Sequence, residues 1–425
     1  SRGEMRSTKA SGTPYKLAIV APTCFYYQVA LFRTLDAHPN IDLTVYFCSA
    51  ESLHGEDVRQ TFETDGDWGM GEDLLKGFKY KFLRNFSPRP SYLRWPFGLM
   101  NFGIWNQIKN ERPDAVVLMS WTNLTWWIAI LACLFFKVPY FYMTDANVIS
   151  EIPKRRLWLW IKKMTLGKVV FKWASGFLCA GTANRQIYEL YGVPEKKLIP
   201  FAYSWGYQPL LQDASALKAQ RNHFRAELGI PGNSRVILYC GRLSPEKGPA
   251  ELLDAYRRIS SPDTSLIFVG DGKLKQSLQQ KAAQYNLDSV YFFGFKDRKE
   301  LPKFYAISDV LVLPSHRETW GMVVNEAMCF GLPVIVSDQV GAGLDLVRYG
   351  YNGFSFPGGD AEALGSRIQQ FMELPGTEKE LFGIRSKQLV SEWTDRDLAQ
   401  ILSQYLERFT GRGSPIHGRP DSVGR

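Results

Sequence analysis

Histidines, cysteine motifs and long apolar runs are all scarce in this sequence. The 425 residues contain five histidines and six cysteines, and no two cysteines form a Cys-x-x-Cys pair. Without such pairs, or a histidine nearby at metal-ligand spacing, a disulfide framework and a zinc module are disfavoured, and buried free thiols fit best. Buried thiols favour a reducing compartment, so we expect a cytoplasmic protein.

Membrane-spanning and secretory patterns are missing as well. The longest apolar stretch, Trp126 to Phe136, is far shorter than the roughly 20 residues that span a bilayer, so no transmembrane helix is predicted. Ser1 to Tyr15 is polar and basic, without the apolar core of a signal sequence, and we expect residues 1–15 to be disordered. The Gly-, Pro-, Arg- and Ser-rich residues 411–425 are predicted to form a disordered tail.

The composition of the chain is that of a large globular protein. Hydrophobic residues make up 45% and charged residues 22%, and the length favours two domains with their own cores. Lys and Arg total 51 against 42 Asp and Glu, which gives a formal net charge of +9. This excess favours an anionic partner, and phosphate, acidic lipid and nucleic acid all remain open.

The first half of the chain alternates predicted strands with predicted helices. Strands are predicted at Lys16–Ala21, Leu43–Phe47, Ala115–Met119 and Pro139–Met143. Near-continuous apolar strands of this kind are typical of a parallel sheet that is covered on both faces. We interpret Leu124–Phe136, which carries the Trp126-Trp127 pair, as a buried crossover helix rather than a membrane element.

The second half repeats the alternation after an irregular connector and a predicted helix at Ala214–Leu228. Strands are predicted at 236–240, 265–269, 290–293 and 310–313, and helices at 250–259, 274–285 and 301–306. The fold class is therefore α/β, with two Rossmann-like, doubly wound parallel-sheet domains. We place the N-terminal domain at 16–204, the C-terminal domain at 205–392 and a last amphipathic helix at 393–410.

A basic, glycine-bounded loop follows the strand at Val236–Cys240. It reads Gly241-Arg-Leu-Ser-Pro-Glu-Lys-Gly, and Pro249 then begins a helix at the position where its missing N–H costs nothing. A strand, such a loop and a helix N-terminus together form a pocket for an anion. Arg242 can bind two phosphate oxygens and Lys247 adds a point charge, so a diphosphate is a better match than a lone carboxylate. Alternatively, this loop is a solvated basic turn.

A second motif carries two carboxylates. It reads Pro314-Ser-His-Arg-Glu-Thr-Trp-Gly-Met-Val-Val-Asn-Glu. Glu318 lies in the loop after a strand, and Glu326 lies in the second turn of the helix that begins near Met322. Both can face the crevice at the carboxyl end of the strand, where ligands of open α/β sheets bind. They could accept hydrogen bonds from sugar hydroxyls, or they could be two surface glutamates.

These motifs resemble the retaining glycosyltransferases of family 4. The resemblance rests on Gly241-Arg-Leu with Glu246-Lys-Gly, on Val269-Gly-Asp-Gly and on Glu318-x7-Glu326 in its Pro-Ser-x2-Glu-x2-Gly context. The matching motifs are closely spaced over residues 235 to 360, whereas residues 16 to 200 match only in their pattern of predicted strands and helices. The resemblance implies a GT-B architecture whose C-terminal domain holds a nucleotide-sugar donor at an interdomain cleft.

The resemblance also assigns roles to individual residues. Arg242 and Lys247 would bind the diphosphate beside Gly241, Glu318 the hydroxyls of the transferred sugar, and Glu326 the ribose. Phe295, with Lys296, is a weaker candidate for the nucleobase contact. Backbone N–H groups at the helix N-terminus would face the sugar and phosphate, namely those of Thr319, Trp320, Gly321, Met322 and Val323.

The N-terminal domain departs from the family at two loops. Many members carry a His-Asp pair after the strand at 139–143, whereas this chain has Thr144-Asp145. Asp145 could accept the acceptor proton or stabilise positive charge on the sugar, or it could only cap a turn. The first loop lacks the paired glycines of the family, and its Tyr26 and Tyr27 could stack on an acceptor sugar or simply pack.

Two further segments resemble patterns that bind a metal ion or a membrane. Asp65-Gly-Asp67 looks like a metal-binding DxD motif but lies in the wrong domain, so we predict no metal and a surface turn. Lys154–Trp173 has seven cations, no acid and four large aromatic residues, which is the pattern of a helix at an anionic membrane surface. Alternatively, its aromatic residues face the core and its lysines reach into water.

Taken with the resemblance, the motifs predict a retaining, metal-independent glycosyltransferase of glycan or glycoconjugate biosynthesis. No cofactor is required beyond the donor, which is expected to be a UDP-sugar, with a GDP-sugar next. The acceptor would be a saccharide, a lipid-linked molecule or a small molecule, and the enzyme could be peripheral at the cytoplasmic face of a membrane. Alternatives are a nucleotide-sugar epimerase, a phosphorylase or a non-catalytic nucleotide-sugar-binding or membrane scaffold. Nucleic acid is not expected, because the chain has no recognised module for it.

Overall fold

Two parallel β-sheets organise the part of the chain that the structure describes. The computed structural model describes residues 13–51, 72–151, 160, 162–201, 208–393 and 396–410. The strands of the first sheet are β1 (Tyr15–Ala21), β2 (Ile41–Phe47), β3 (Tyr80–Phe82), β4 (Ala115–Leu118), β5 (Tyr140–Met143), β6 (Gly176–Ala180) and β7 (Leu198–Phe201). Their order across the sheet is β3-β2-β1-β4-β5-β6-β7, and every pair is parallel.

The second sheet has the same doubly wound character. Its strands are β8 (Arg235–Cys240), β9 (Thr264–Val269), β10 (Val290–Phe292), β11 (Val310–Leu313), β12 (Val334–Ser337) and β13 (Gly353–Phe356). Their order is β10-β9-β8-β11-β12-β13, again with parallel pairing throughout. The predicted fold class, α/β with two doubly wound parallel sheets, is confirmed.

Helices cover both sheets. Those beside the first sheet are α1 (Tyr26–Asp36), α2 (Gly103–Glu111), α3 (Leu124–Phe136) and α4 (Thr182–Leu190). Those that follow are α5 (Gln208–Ala219), α6 (Arg221–Glu227), α7 (Pro249–Ile259), α8 (Lys275–Gln284), α9 (Leu301–Ile307), α10 (Met322–Cys329), α11 (Gly341–Leu346), α12 (Ala361–Glu373), α13 (Gly376–Glu392) and α14 (Arg396–Thr410). Short turns of helix lie at Glu72–Leu75, Val148–Glu151, Lys163–Val170, Glu195–Lys197 and Pro245–Lys247.

The apolar strands follow from burial on both faces. In β1, Leu17 and Ile19 belong to one hydrophobic cluster, while Ala18 and Val20 between them belong to another on the opposite face. Successive side chains of a strand point to opposite faces, so a strand covered on both sides needs apolar residues at every position. The six cysteines are buried among these side chains, and none forms a disulfide.

Two local predictions were wrong. The single helix predicted over Ala214–Leu228 is two helices, α5 and α6, which meet at Gln220. The buried guanidinium of Arg225 holds α6 in place by donating to the carbonyl oxygens of Ile307 and Ser234. Helix α3 is also not fully buried: Trp126 is inaccessible to solvent, whereas Trp127 is 47% exposed.

Several predicted segments lie wholly or partly outside the described residues. These are 1–12 and 411–425, the Asp65-Gly-Asp67 motif, residues 152–159 and 161 of the basic aromatic stretch, and the domain boundary near residue 205.

The last helix, α14, packs against α1 and β7 of the first sheet. Within the described ranges, no helix combines the length and the apolar character that a bilayer span requires.

Candidate functional site

The topology of the second sheet creates a crevice where two predicted motifs meet. Strand β8 lies between β9 and β11, so the chain leaves β8 towards one edge of the sheet and leaves β11 towards the other. Loops that diverge in this way open a crevice at the carboxyl ends of the strands, where open α/β sheets bind ligands. The loop Gly241–Gly248 follows β8, and the loop Pro314–Gly321 follows β11.

Gly248 joins these two loops closely. Its backbone is left-handed, with φ 66° and ψ 29°, and it stands between the turn that ends at Lys247 and the start of α7 at Pro249. A Cβ atom on Gly248 would lie 2.3 Å from the carbonyl oxygen of Pro314. Because residue 248 is a glycine, the loop after β8 packs closely against the loop after β11, and Lys247 lies next to the second motif.

We expect Gly248→Ala to lower the free energy of unfolding by about 2 kcal/mol or more, because left-handed backbone strain adds to the clash with Pro314. Chemical denaturation measures this change. Gly232→Ala is the matched control, because a Cβ atom added there would meet nothing within 4 Å and its φ is not in the left-handed range. A Gly248→Ala variant as stable as Gly232→Ala would contradict this account of the loop contact.

A second glycine brings the loops after β8 and β9 together. A Cβ atom on Gly270 would lie 1.9 Å from the carbonyl oxygen of Gly241. The amide of Leu243 donates to the carbonyl of Asp271 at 2.8 Å, and the hydroxyl of Tyr239 donates to the carbonyl of Arg242 at 2.7 Å. The backbone around Gly241 and Arg242 is thereby fixed at the bottom of the crevice.

Lys247 and Glu318, predicted from separate motifs, form an ion pair, with the ammonium of Lys247 donating to the Glu318 carboxylate. The amide of Glu318 donates to the carbonyl of Gln339 at 3.0 Å, so its backbone is held beside a neighbouring segment. Arg242 lies 3.7 Å from the carboxylate of Glu246, four residues on. The crevice therefore holds two cations next to a carboxylate, which suits a ligand with both phosphate and hydroxyl groups.

Glu326 lies deeper in the same crevice, on α10. The hydroxyl of Tyr305 donates to its carboxylate at 2.6 Å. Burial raises the pKa of Glu326, while the Tyr305 hydrogen bond and the charge of Arg298 oppose that rise. Sequence reasoning missed Tyr305 and Arg298, because neither residue belongs to a motif.

The N-terminus of α10 points at this carboxylate-lined region. Gly321 precedes the helix in a left-handed conformation, with φ 96°. The ring of Trp320 is buried, stacks on Trp393 and donates from its Nε1 to Asn325. The indole of Trp320 therefore has a structural role, and a contact between its backbone N–H and a ligand stays a prediction.

The first sheet contributes Asp145 from the opposite side. Asp145 follows β5, and its side chain accepts a hydrogen bond from the hydroxyl of Tyr27 at 3.1 Å. The Asp145 side chain is exposed to the cavity, but the surrounding protein desolvates its carboxylate and so raises its pKa, and the Tyr27 hydrogen bond opposes that rise. Asn184, which sequence reasoning missed, fixes this loop by donating to the carbonyl of Thr144 at 2.9 Å.

Three contacts join the two halves across the crevice. The amide of Asn147 donates to the Thr319 carbonyl at 2.7 Å. The backbone N–H and hydroxyl of Thr182 both donate to the carboxylate of Asp345, at 3.0 Å and 2.7 Å. In the third contact, the guanidinium of Arg298 lies 5.3 Å from the ring centre of Tyr26. No sequence motif indicates these contacts, because each of them depends on how the two domains pack.

The two halves enclose a cavity of about 600 Å³, within the usual range for small-molecule sites. Every residue singled out for a site role in the sequence lines it. These are Tyr26, Tyr27, Asp145, Gly241, Arg242, Lys247, Phe295, Lys296, Glu318, Thr319, Trp320, Gly321, Met322, Val323 and Glu326. Among the residues described, no group of three His, Cys, Asp or Glu side chains could hold a metal ion.

Comparison of sequences finds similarity between the second half and a known family. Residues 220–387 match the family described as glycosyl transferases group 1. An uncharacterized glycosyltransferase of Methanocaldococcus jannaschii is 31% identical over 172 residues, which cover 40% of this chain and 43% of that protein. The glycogen synthase of Mycobacterium tuberculosis is 26% identical over 316 residues, which cover 72% of each chain. The chain thus spans less than half of the archaeal relative.

Comparison of structures extends the similarity to both halves. The crystal structure of Anabaena HepE in complex with UDP has a TM-score of 0.69 and 18% identity, and the match covers 93% of this chain and all of that chain. HepE has also been solved in complex with UDP-glucose. The chain therefore has the GT-B fold of these proteins, and its residues 220–387 are similar to the glycosyl transferases group 1 family.

Proposed function

We propose that this protein is a retaining glycosyltransferase of family 4, which moves a sugar from a nucleoside diphosphate sugar to an acceptor hydroxyl. The observation that carries the proposal is the meeting of Arg242, Lys247 and Glu318 at the switch point of the second sheet. Two cations there can neutralise a diphosphate, and the carboxylate can accept hydrogen bonds from a sugar. A phosphate-binding site without this carboxylate would have no means of holding the sugar.

A UDP-sugar is the proposed donor, with a GDP-sugar as the next candidate. Support for UDP comes from HepE, whose fold this chain shares and which binds UDP and UDP-glucose. In this assignment Glu326 accepts from the ribose hydroxyls, and Phe295 lies beside the base. The hydroxyl of Tyr305 orients the Glu326 carboxylate for that contact.

The transfer step needs charge stabilisation more than a strong base. The bond between the anomeric carbon and the diphosphate breaks, a new bond to the acceptor oxygen forms on the same face, and the acceptor proton passes to a leaving phosphate oxygen. Arg242 and Lys247 stabilise the charge that grows on the diphosphate, so no metal ion is required in this scheme. The proposed domains follow, with 16–204 binding the acceptor and 205–392 the donor.

Asp145 is the titratable side chain next to Thr144, which stands where many family members carry histidine, and we assign its ionised form to stabilising positive charge on the sugar ring. Because desolvation by the surrounding protein raises the pKa of Asp145, kcat/KM is expected to fall as the pH drops through that raised value, with a limiting slope of about tenfold per pH unit. Below this pKa the carboxyl is protonated and neutral, so the stabilisation is lost.

The test is a pH profile of kcat/KM for Asp145→Asn beside Asp360→Asn. Asp145→Asn should be slower at neutral pH and should lack the acid limb that the parent shows. Asp360 caps α12 by accepting from two backbone amides, a role that asparagine also fills, so its variant should keep the parental profile. An unchanged acid limb in Asp145→Asn would remove Asp145 from the mechanism.

A donor screen tests the proposed function itself. The protein is incubated with UDP-, GDP- and ADP-sugars without acceptor, and slow release of the nucleoside diphosphate is measured. We expect release from one donor class, UDP-sugars, and its loss in a Glu318→Ala variant. An epimerised sugar without release would favour an epimerase, dependence on free phosphate would favour a phosphorylase, and binding without any reaction would favour a scaffold.

A further inference from the structure

Helix α3 turns one apolar face towards solvent. Trp127, Leu131, Leu134 and Phe135 are 41% to 71% exposed, and they recur at the spacing of one helical face. The opposite face, with Trp126 and Ala129, is fully buried against the sheet. A face of four large apolar side chains in a row is unusual on a surface that meets only water.

The loop before α2 extends this apolar face. Leu93, Trp95 and Phe97 are 61% to 72% exposed. The loop is attached to the start of α3, because the amide of Leu124 donates to the carbonyl of Pro96 at 3.0 Å. We call the combined surface the apolar rim; it consists of Leu93, Trp95, Phe97, Trp127, Leu131, Leu134 and Phe135.

The two segments that carry the apolar rim have charges of one sign. Residues 84–109 and 115–144 contain no aspartate or glutamate. Exposed cations are distributed over these segments and the neighbouring turn, namely Arg84, Arg89, Arg94, Lys109, Lys137 and Lys172. Exposed apolar side chains and exposed cations on the same segments complement an anionic bilayer, whose phosphates lie above its acyl chains.

A row of aromatic side chains connects the apolar rim to the cavity. Tyr92 and Leu93 line the cavity mouth, and the ring of Tyr92 packs edge-on against Phe25 at 5.4 Å. Phe25 stacks on Tyr27 at 5.3 Å, and the hydroxyl of Tyr27 donates to Asp145. The acceptor side of the cavity therefore opens beside the apolar rim.

We propose that the apolar rim docks the protein on an anionic bilayer, so that the cavity mouth at Leu93 meets the membrane surface. This inference rests on the proposed function. Of the acceptor classes that the sequence left open, it selects a lipid-anchored acceptor. The sequence placed a membrane contact at Lys154–Trp173 alone, whereas this proposal places it on α3 and the Leu93–Phe97 loop. Of the earlier stretch, Trp160 and Trp173 are also exposed.

Flotation with vesicles of phosphatidylcholine, with and without phosphatidylglycerol, tests the docking. Wild-type protein should float with the anionic vesicles, and Leu131→Ser/Phe135→Ser should bind them about tenfold more weakly or worse, because the inserted apolar area is lost. Ile384→Ser is the matched control, since Ile384 is 59% exposed on the second domain, and it should bind as wild type. Equal binding of the rim variant, no binding of the wild type, or a stable dimer that covers the rim would overturn the proposal.

A fluorescent label tests the orientation. The six native thiols are buried, so a maleimide reacts selectively with a cysteine introduced by Leu93→Cys or Ile384→Cys. Brominated lipids should quench the label at position 93 and leave the label at 384 unquenched; equal quenching at both would overturn the proposed orientation. UDP release without acceptor should be unchanged in Leu131→Ser/Phe135→Ser. Docking without any UDP release would instead count against the proposed function and leave the docking surface intact.

Discussion

Arg242→Ala and Lys247→Ala should each lower kcat for donor turnover by about 10²- to 10³-fold. The leaving diphosphate gains negative charge as its bond to the sugar breaks, and both side chains line the cavity floor where that charge would form. A fixed cation stabilises this charge more in the transition state than in the bound donor, so kcat should fall along with kcat/KM. Steady-state release of nucleoside diphosphate measures the effect.

Lys281→Ala is the matched control for this prediction. Lys281 also pairs with a carboxylate, Asp254, at 2.8 Å, but it lies outside the cavity lining. Its variant should keep parental kinetics. If Lys247→Ala and Arg242→Ala raised KM while leaving kcat intact, the two cations would serve ground-state binding alone, and the proposed stabilisation of the leaving group would be wrong.

The second large effect is expected for Glu318. Glu318→Gln keeps a hydrogen-bond acceptor of the same shape but removes the charge that pairs with Lys247, and Glu318→Ala removes both. We expect kcat/KM to fall about tenfold or more in the first variant and about 10²-fold or more in the second, because sugar hydroxyls bind a carboxylate more strongly than an amide. Binding of free UDP, which lacks the transferred sugar, should change much less than turnover.

Glu227→Gln provides the comparison for Glu318. Glu227 pairs with Lys303 at 3.3 Å on the surface of the same domain, and its loss should leave turnover unchanged. Calorimetric affinities for UDP, measured beside the kinetics, separate the two possible roles of Glu318. A loss of UDP affinity as large as the loss of turnover would assign Glu318 to holding Lys247 in place rather than to binding the sugar.

That the predicted donor-site residues line one cavity follows from features that are local in the chain. Gly241, Arg242, Lys247 and Gly248 lie within one loop after a strongly apolar strand, and Glu318 and Glu326 lie within one loop and one helix. Parallel strands place their carboxyl ends at one edge, so consecutive motifs after β8 and β11 must meet. The direct pairing of Lys247 with Glu318 follows from that topology.

The contacts between the two domains could not be predicted, because they depend on packing between distant segments. Thr182 and Asp345 are 163 residues apart in the chain and are ordinary residues until the domains meet. The exposed face of α3 was missed for another reason. Leu124–Phe136 is apolar on nearly every side, so its periodicity does not distinguish the face that packs on the sheet from the face that meets solvent.

Calorimetric titration with UDP, UMP and uridine tests the central claim, that Arg242 and Lys247 form a diphosphate site. UDP should bind at one site per chain and much more tightly than UMP, because the second phosphate meets both cations, and uridine should bind most weakly. Lys247→Ala should reduce the difference between UDP and UMP. Equal affinities for UDP and UMP, or a difference that survives in Lys247→Ala and Arg242→Ala, would contradict the account.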